Sequence, residues 1–191
     1  MGKIIVTQFI TLDGVTEAPG GDETNHPHGG WQNGFRSPEG GKYKVDELAA
    51  TNALLMGRKT YDQFAKYWPA QSGQSFGDRM NSLPKFVVST TLPKADWNNT
   101  KILKDVVKDV AELRRNTDGN ILIYGSATLS KSLIHHELVD ELHLLLYPVI
   151  VGGGLKLFDD NFEMKKFNLT NSQTFTGGVI LLEYSTISKC V

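Results

Sequence analysis

The chain has 191 residues, of which 40% are hydrophobic and 21% are charged, and its formal net charge is −1. This composition is typical of a globular protein that buries a core, and without a linker rich in Pro, Ser or charge it predicts a single domain over residues 1–191. The balanced charge gives no general positive field, so neither nucleic acid nor anionic membrane is an expected partner. An anionic ligand would need a local site.

Cysteine usage and the start of the sequence indicate a cytoplasmic protein. Its single cysteine, Cys190, excludes an intramolecular disulfide and a thiolate metal cluster. The residues before Asp13 contain no apolar stretch long enough for a signal peptide or a membrane span. We therefore expect a cytoplasmic location.

The first part of the chain predicts a strand, a long loop, a helix and a second strand. Lys3–Leu12 is rich in β-branched and aromatic residues and stops at an Asp-Gly pair, so it predicts a buried strand. Thr16–Gly41 is loaded with Gly, Pro, His and Asn, which is typical of a lid or a site wall. A helix over Lys42–Asn52 then leads into the strand Ala53–Gly57. The apolar face of this helix would consist of Val45, Leu48 and Ala49.

The middle of the chain continues the alternation of strands and helices. A helix is predicted over Thr60–Tyr67 and a polar loop over Pro69–Pro84. The next elements, in chain order, are strands at Phe86–Ser89 and Lys101–Leu103, a helix capped by Asp105, a strand at Asn120–Tyr124 and a helix at Ala127–His135.

The last part of the chain predicts antiparallel strands. Leucines alternate with other residues over 142–146, and Lys166–Phe175 and Val179–Ile187 flank the turn residues Gly177 and Gly178. We therefore predict a three-layer α/β/α sandwich whose central sheet is mixed and mostly parallel and ends in an antiparallel C-terminal hairpin.

Two strand-to-helix turns are candidate phosphate sites. In the first, Gly57-Arg58-Lys59-Thr60, free N–H groups, a hydroxyl and two cations can bind an anion. The second, Tyr124–Thr128, can present N–H groups to another phosphate. Taken alone, each is also explained as an ordinary turn that needs no ligand. Neither has the glycine spacing of a Rossmann or Walker motif.

A third segment, Ser89-Thr90-Thr91, follows a predicted strand and lies close in sequence to Lys94. Its hydroxyls, with the ammonium, offer contacts to a further phosphate or a ribose. A capped strand end without a ligand explains the same residues.

The order of several motifs resembles that of two related reductases. The segments that resemble the NADPH-contacting segments of dihydrofolate reductase are Met56–Tyr61, Val87–Thr90 and Ile123–Ala127. The segments similar to the C-terminal reductase domain of the riboflavin-biosynthesis deaminase/reductase and its stand-alone relatives are Thr11–Gly14, Val139–Leu142 and Pro148–Phe158. The resemblance covers nearly the whole chain and lies in the joint order of the motifs.

The resemblance implies that NADPH is the cofactor and that a homodimer is possible. The residues it places at the cofactor are Gly57, Arg58, Lys59 and Thr60 at the pyrophosphate and 2′-phosphate, Ser89 and Thr90 at the adenosine end, and Gly125, Ser126, Ala127, Thr128 and Leu129 on the opposite side of the pyrophosphate. It also places Gly152–Gly154 beside the cofactor cleft, although a flexible break after the preceding strand explains the same glycines. Arg58 and Lys59 favour NADPH over NADH, because cations match the 2′-phosphate of NADPH, whereas a carboxylate would match the free ribose of NADH.

Two positions depart from the family pattern. Ser126 replaces the second glycine of the usual Gly-Gly pair, so we expect the strained turn there to be altered. The acid that protonates or orients the pterin in dihydrofolate reductase would fall near Gly41, where no carboxylate stands. Dihydrofolate is therefore not the expected substrate. Glu39 and Asp13 are the remaining candidates for the catalytic group.

Further side chains are candidates for contact with a substrate or a metal. Asp13 can face the substrate or form an Asp-Gly turn. Trp31 and Phe35 can stack on a flat heterocycle or anchor the long loop. The candidate metal ligands are His26, His28, Asp22 and Glu23. Because they lie in a polar loop with no matching ligand pair elsewhere, we predict no metal site.

The expected function is that of an NADPH-dependent reductase. The resemblance implies hydride transfer to a small planar heterocycle or a ribosylaminopyrimidine-like substrate. An alternative is a regulatory protein that binds NADPH without turnover, which the missing carboxylate near Gly41 would fit. A plain interaction domain without a ligand is a second alternative.

Overall fold

A computed structural model describes residues 1–21, 24–158 and 162–187, and eight strands lie within these ranges. The strands are β1 Lys3–Thr11, β2 Thr51–Gly57, β3 Lys85–Val88, β4 Thr100–Leu103, β5 Asn120–Tyr124, β6 Glu141–Tyr147, β7 Phe167–Thr174 and β8 Ile180–Thr186. They form one sheet in the order β4-β3-β2-β5-β1-β6-β8-β7. Cys190, Asp22 and Glu23 lie outside the described residues.

The sheet is mixed and mostly parallel. Parallel pairs join β4 to β3, β3 to β2, β2 to β5, β5 to β1 and β1 to β6. β8 is antiparallel to both β6 and β7. The turn between β7 and β8 contains Gly177 and Gly178, both with positive φ, a conformation in which glycine is unstrained. The predicted sheet with a C-terminal hairpin is confirmed.

Helices cover both faces of the sheet, which confirms the three layers. The helices are α1 Pro38–Ala49, α2 Arg58–Tyr67, α3 Ser75–Ser82, α4 Lys108–Asn116 and α5 Ala127–His135, with short 3-10 turns at Asn33–Phe35 and Trp68–Gln71. Side chains of α4 and α5 pack on one face, and those of α1, α2 and α3 pack on the other. None of the helices in the described ranges has the length and apolar character needed to span a membrane.

Strand β1 runs through the centre of the sheet and changes character along its length. Near its start Ile4 and Val6 are buried in the layer of α4 and α5, and Ile5 is buried in the opposite layer. Further along, the buried polar side chains are Thr7, Gln8 and Thr11. Because buried polar groups need hydrogen-bond partners, this end of the sheet is built from groups that bond to one another and can face a ligand.

Helix α1 begins earlier than the sequence predicted. It starts at Pro38 rather than Lys42, because Ser37 accepts a hydrogen bond from the N–H of Gly40 and a proline suits the first helical turn. It ends before β2 starts at Thr51.

The predicted apolar face of α1 was wrong for two of its three residues. Leu48 is buried, whereas Val45 and Ala49 are exposed. The residues turned toward the sheet include Lys44 and Glu47, which bond to each other. The prediction assumed that the buried face of the helix is apolar, whereas the ion pair of Lys44 and Glu47 occupies part of that face.

The predicted loop Pro69–Pro84 contains helix α3, which the sequence reading missed. Gly, Ser and Asn favour loops by propensity, but tertiary packing overrides propensity here. Met80 is fully buried, and a Cβ on Gly77 would lie 2.3 Å from the carbonyl oxygen of Gln71, so a glycine is needed for this close approach.

Lys85 closes the end of α3 from within the core. Its side chain is fully buried, and its ammonium donates to the carbonyl oxygens of Met80 (3.2 Å), Asn81 (2.8 Å) and Leu83 (2.8 Å). All three donors of the ammonium are thus used. Burial lowers the pKa of Lys85 to about 8.

We predict that Lys85→Met lowers the free energy of unfolding at pH 7 by about 1–3 kcal/mol, because three carbonyl groups lose their partner. Between pH 8 and 10 the unfolded chain keeps a proton on Lys85 that the folded protein has released, so the stability that this residue contributes rises with pH. Urea unfolding of both proteins at several pH values measures this, and a constant difference between them would contradict the lowered pKa.

Candidate active site

The carboxyl ends of β2, β5 and β1 lie side by side, because these strands are adjacent and parallel. β2 ends at Gly57 and β5 ends at Tyr124, and each strand is followed closely by a helix. In α/β proteins ligands commonly bind at this edge of the sheet. The two predicted phosphate turns are therefore neighbours in space.

The first turn leads from Gly57 into α2. No side chain caps the N–H groups at the start of this helix. Thr60 is buried and Lys59 is exposed. Uncapped N–H groups at a helix start carry partial positive charge, so this turn can bind an anion.

The second turn keeps the strain that the glycine-to-serine departure was expected to alter. Gly125 and Ser126 both have φ of +58°, so two consecutive residues are left-handed and one of them carries a side chain. The side-chain amide of Gln8 donates to the carbonyl of Gly125, which holds the turn against β1. No side chain caps the first N–H groups of α5 either.

The hydroxyl of Ser126 joins the two turns. It accepts a hydrogen bond from the N–H of Gly57 at 2.9 Å and donates to the hydroxyl of Thr60 at 2.8 Å. A Cβ on Gly57 would lie 3.6 Å from this hydroxyl oxygen, so the turns are in van der Waals contact. Two helix starts are thereby fixed beside each other.

The other residues predicted at the second turn differ in exposure. Ala127 and Leu129 are buried in the core, and Thr128 is exposed. A ligand at this helix start would therefore meet the backbone of the first two residues and the side chain of Thr128.

The two basic residues of the first turn are differently engaged. The Arg58 guanidinium Nε lies 2.8 and 2.7 Å from the two carboxylate oxygens of Asp62, and both side chains are about 40% exposed (38% and 42%). Such an exposed ion pair is weak, so an incoming phosphate can compete for the arginine. Hydrogen bonding from the N–H of Leu155 and, more weakly, the charge of Lys59 lower the pKa of Glu17.

The third predicted segment forms a local turn after β3. The buried Ser89 hydroxyl accepts hydrogen bonds from the N–H groups of Thr91 (3.2 Å) and Leu92 (3.0 Å). Thr90 is exposed, and Lys94 pairs with a neighbouring aspartate at the surface. Contact of Ser89 and Thr90 with an adenosine stays a prediction.

The two candidate catalytic carboxylates both bond to neighbouring chain segments. Asp13 accepts hydrogen bonds from the hydroxyl of Thr11 (2.6 Å) and from the N–H of Gly152 (2.8 Å), and these bonds lower the pKa of Asp13. Glu39 accepts a hydrogen bond from the hydroxyl of Thr176 at 2.9 Å. The first ties the loop after β6 to β1, and the second ties α1 to the hairpin.

The long loop and the sheet enclose a cavity of about 240 Å³ that has aromatic walls. Phe35 and Tyr147 line this cavity together with Phe9. Trp31 is buried behind it, with its ring centre 5.2 Å from that of Tyr147 and its indole N–H donating to the carbonyl of Glu17. Stacking of Trp31 on a substrate stays a prediction.

His26 of the same loop contacts the run Gly152–Gly154, and His28 contacts His26. Nε2 of His26 lies 2.7 Å from the carbonyl oxygen of Gly153, and its Nδ1 accepts a hydrogen bond from the N–H of His28. Among the residues that the structure describes, no cluster of three or more His, Cys, Asp or Glu side chains could hold a metal ion.

Comparison with known proteins assigns the family. A family model for the RibD C-terminal domain matches residues 2–181. The chain belongs to this family. This chain is similar to the uncharacterized protein YyaP of Bacillus subtilis. The two are 29% identical over 186 residues, which cover 95% of this chain and 94% of YyaP.

Solved structures confirm the fold of this RibD C-terminal domain. A putative riboflavin biosynthesis protein from Shewanella sp. PV-4 superposes with a TM-score of 0.77 at 20% identity, covering 97% of this chain and 99% of that one. Dihydrofolate reductase from Enterococcus faecalis, complexed with NADP(H), superposes with a TM-score of 0.63 at 15% identity, covering 98% of each chain. The predicted dihydrofolate-reductase-like fold is therefore correct.

Sequence reasoning on this RibD C-terminal domain missed a polar cluster between α1 and the sheet. The ammonium of Lys44 donates to the hydroxyl of Thr7 at 3.0 Å and to the carboxylate of Glu47. The other Glu47 oxygen lies 3.2 Å from Nδ1 of His143 on β6. The available signal was the i, i+3 spacing of Lys44 and Glu47 on the side of the helix that carries Leu48.

A second feature of this cluster is its charge. Burial alone would raise the pKa of the Glu47 carboxyl, but Lys44 and His143 together lower it to about 2. Burial would lower the pKa of His143, yet Glu47, Glu183 and Glu141 raise it. The cluster therefore holds compensating buried charges near neutral pH.

We predict that Ser126→Ala lowers the free energy of unfolding by about 1–2 kcal/mol, because it removes the bridge between Gly57 and Thr60 but keeps a side chain in the left-handed region. Ser126→Gly loses the same hydrogen bonds but releases the strain, so it should cost about 1 kcal/mol less than the alanine variant. Urea unfolding compares them, and equal losses would show that the serine backbone is unstrained.

Proposed function

We propose that this protein is an NADPH-dependent reductase that transfers hydride to a small planar heterocycle or a ribosylaminopyrimidine-like substrate. The observation that carries the proposal is the hydrogen-bonded pair of helix starts at Gly57 and Ser126. A pyrophosphate has two charged groups, and two adjacent uncapped helix starts offer it N–H donors from both sides.

The residues at the turns fit NADPH rather than NADH. With a net charge of −1, the molecule attracts no anion in general, so the local cations matter. Arg58 and Lys59 stand at the start of α2, where they can meet a 2′-phosphate, whereas a cofactor with a free ribose would be matched by a carboxylate. The bound NADP(H) of the Enterococcus faecalis enzyme, which shares the fold, supports the same assignment.

In such an enzyme the bound nicotinamide supplies the hydride, and the protein supplies binding and orientation. The N–H groups that follow Gly57 at the start of α2, the hydroxyl of Thr60 and the N–H groups of α5 would hold the phosphates. Gln8, through its bond to Gly125, fixes the position of that turn against β1. The cavity beside Phe9 and Tyr147 would receive the flat substrate.

Two observations bear on the substrate. No carboxylate lines the 240 Å³ cavity among the described residues, and Gly41 lines it where dihydrofolate reductase is expected to carry its acid. We therefore propose that dihydrofolate is not the natural substrate. The Shewanella protein with the same fold is described as a putative riboflavin biosynthesis protein, which supports a pyrimidine substrate.

The alternative is a regulatory protein that binds NADPH without turnover, which the missing carboxylate at Gly41 favours. Oxidation of NADPH in the presence of pyrimidines and pterins separates the two functions. Saturable NADPH binding without any oxidation would favour the alternative.

We predict that Arg58→Ala and Lys59→Ala each weaken the binding of NADPH more than that of NADH, by about 1–3 kcal/mol, because each removes a cation from the 2′-phosphate. Asp62→Asn frees Arg58 from its ion pair and should strengthen NADPH binding without changing that of NADH. Isothermal titration with both cofactors measures these effects. Lys66→Ala, an exposed lysine in the last turn of α2, is the matched control.

Equal losses for NADPH and NADH in the Arg58 and Lys59 variants would place both cations away from the 2′-phosphate. Absence of saturable NADPH binding by the unmodified protein would overturn the proposed function itself.

A further inference from the structure

The charged side chains of the 240 Å³ cavity between the long loop and the sheet are all positive. The charged side chains that line it, within the described part of the chain, are Arg36 and Lys44, and its walls are aromatic and aliphatic. Arg36 sits at the loop, where it donates to the side chain of Asn33. A protonated, cationic heterocycle would be repelled here, and a neutral or anionic ring with carbonyl groups would be attracted.

Lys44 has one donor left for a ligand. Its ammonium has three protons, of which Thr7 and Glu47 each accept one. No third acceptor contacts it among the described residues, and the nitrogen lies 4.3 Å from the ring centre of Tyr124 and 5.5 Å from that of Phe9. The lysine side chain is 15% exposed.

The same ammonium stands next to the proposed cofactor site. Thr7 on β1 and Tyr124 on β5 are paired in register, so the lysine spans the two strands. Tyr124 directly precedes Gly125, the first residue of the strained turn. On the other face of β1, Gln8 bonds to that same Gly125. A substrate in the cavity and a cofactor on the turns would therefore meet at the end of β1.

A chain of hydrogen-bonding groups leads from Lys44 to the surface. Glu47 bonds to Lys44 with one oxygen, and its other oxygen lies 3.2 Å from Nδ1 of His143. Nε2 of His143 lies 3.3 Å from a carboxylate oxygen of Glu141, which pairs with the exposed Lys3. Each link joins groups that can exchange protons.

The charges around Lys44 suit proton transfer. The charged and titratable groups that surround it are Glu47 and Tyr43 on α1, Tyr124 on β5, His143 and Glu141 on β6, Glu183 on β8 and Arg36 across the cavity. Burial lowers the pKa of Lys44, while the carboxylate of Glu47 limits that fall. A lysine whose pKa moves toward neutrality is a better proton donor than a solvated one.

We propose that Lys44 is the substrate-facing acid of this site: it binds the carbonyl oxygen or imine nitrogen of a neutral or anionic planar substrate and protonates it. The assignment rests on the proposed function. Lys44 lies on α1, one turn beyond the position near Gly41 where dihydrofolate reductase is expected to carry an acid. The lysine would thus take the role of proton donor that a carboxylate has in that enzyme.

The substrate carbon gains a hydride, with its electron pair, from the dihydronicotinamide of NADPH, which is oxidised to NADP⁺. The π pair of the C=O or C=N bond moves to oxygen or nitrogen, and that atom takes a proton from Lys44 Nζ. The lysine, now neutral, takes a proton from protonated His143 through Glu47, and His143 takes one H⁺ from the solvent through Glu141, so that each turnover consumes one NADPH and one solvent proton.

Binding of small rings to the NADP⁺-loaded protein tests the first half of the proposal. The probes are uracil, which is neutral, orotate, which is anionic, and 1-methylnicotinamide, which is cationic. We expect uracil and orotate to bind and 1-methylnicotinamide to be rejected. Lys44→Met should weaken the binding of uracil and of orotate by about tenfold or more, because each ligand loses a hydrogen bond to a charged group. Lys42→Met, an exposed lysine on the same helix, is the matched control.

Reduction of alloxan, a pyrimidine with an electrophilic ketone, tests the second half. We expect Lys44→Met to slow NADPH oxidation by about 10²–10⁴-fold, the usual contribution of a general acid, without changing the affinity for NADPH. The rate of the unmodified protein should fall as pH rises through the pKa of Lys44, and the variant should lack that fall. His143→Gln should lower kcat and change the pH profile while KM stays the same.

Lys44→Met leaves the buried carboxylate of Glu47 without its lysine partner, which can unfold the protein. The double variant Lys44→Met/Glu47→Gln removes both charges, and it should bind NADPH normally but reduce alloxan as poorly as the single variant. Reduction by the double variant at the rate of the unmodified protein would overturn the proposal, as would NADPH binding without any alloxan reduction by the unmodified protein. Absence of NADPH binding by the unmodified protein would instead refute the proposed function.

Discussion

The hydroxyl of Ser126 is the contact on which the candidate site depends. It bonds to the N–H of Gly57 and to the hydroxyl of Thr60, and so it locks the starts of α2 and α5 together at one edge of the sheet. The parallel order β2-β5-β1 brings the two turns near each other, and these two hydrogen bonds join them directly. Two helix starts held in this way bring N–H donors together and form a local site for an anion. The overall charge of −1 does not attract anions, so such a local site is needed.

The end of β1 connects the edge that carries the two candidate phosphate turns to the cavity. Because successive side chains of a strand point to opposite faces, Gln8 reaches the turn at Gly125 while Thr7 and Phe9 face α1. Lys44 then joins Thr7 to the ring of Tyr124. The buried ammonium thus lies at the ends of β1 and β5, next to the proposed cofactor edge, and this arrangement suits hydride transfer to one atom of a flat substrate and protonation of the neighbouring atom.

Much of this architecture could be predicted from the sequence. Strands such as β1 and β5 are nearly continuous apolar runs between turns, and both phosphate turns follow such runs, so their place at one edge followed from the parallel order. The left-handed Ser126 and its bridge could not be predicted, since they depend on a contact between residues far apart in the chain. Lys44 was missed because hydrophobic periodicity assigns charged residues to solvent, whereas Glu47, Thr7 and two aromatic rings compensate this charge inside the fold. Helix α3 was missed because its stability comes from the burial of Met80 and from the ammonium of Lys85 rather than from the helix propensity of its residues.

Amide hydrogen exchange with and without NADPH tests the central claim most directly, since that claim concerns backbone N–H groups. Bound phosphates should slow the exchange of amides in residues 57–60 and 125–129, and the effect should be larger with NADPH than with NADH in the first segment. Saturating NADPH that leaves both segments unchanged, or that protects only residues elsewhere in the sheet, would contradict the account.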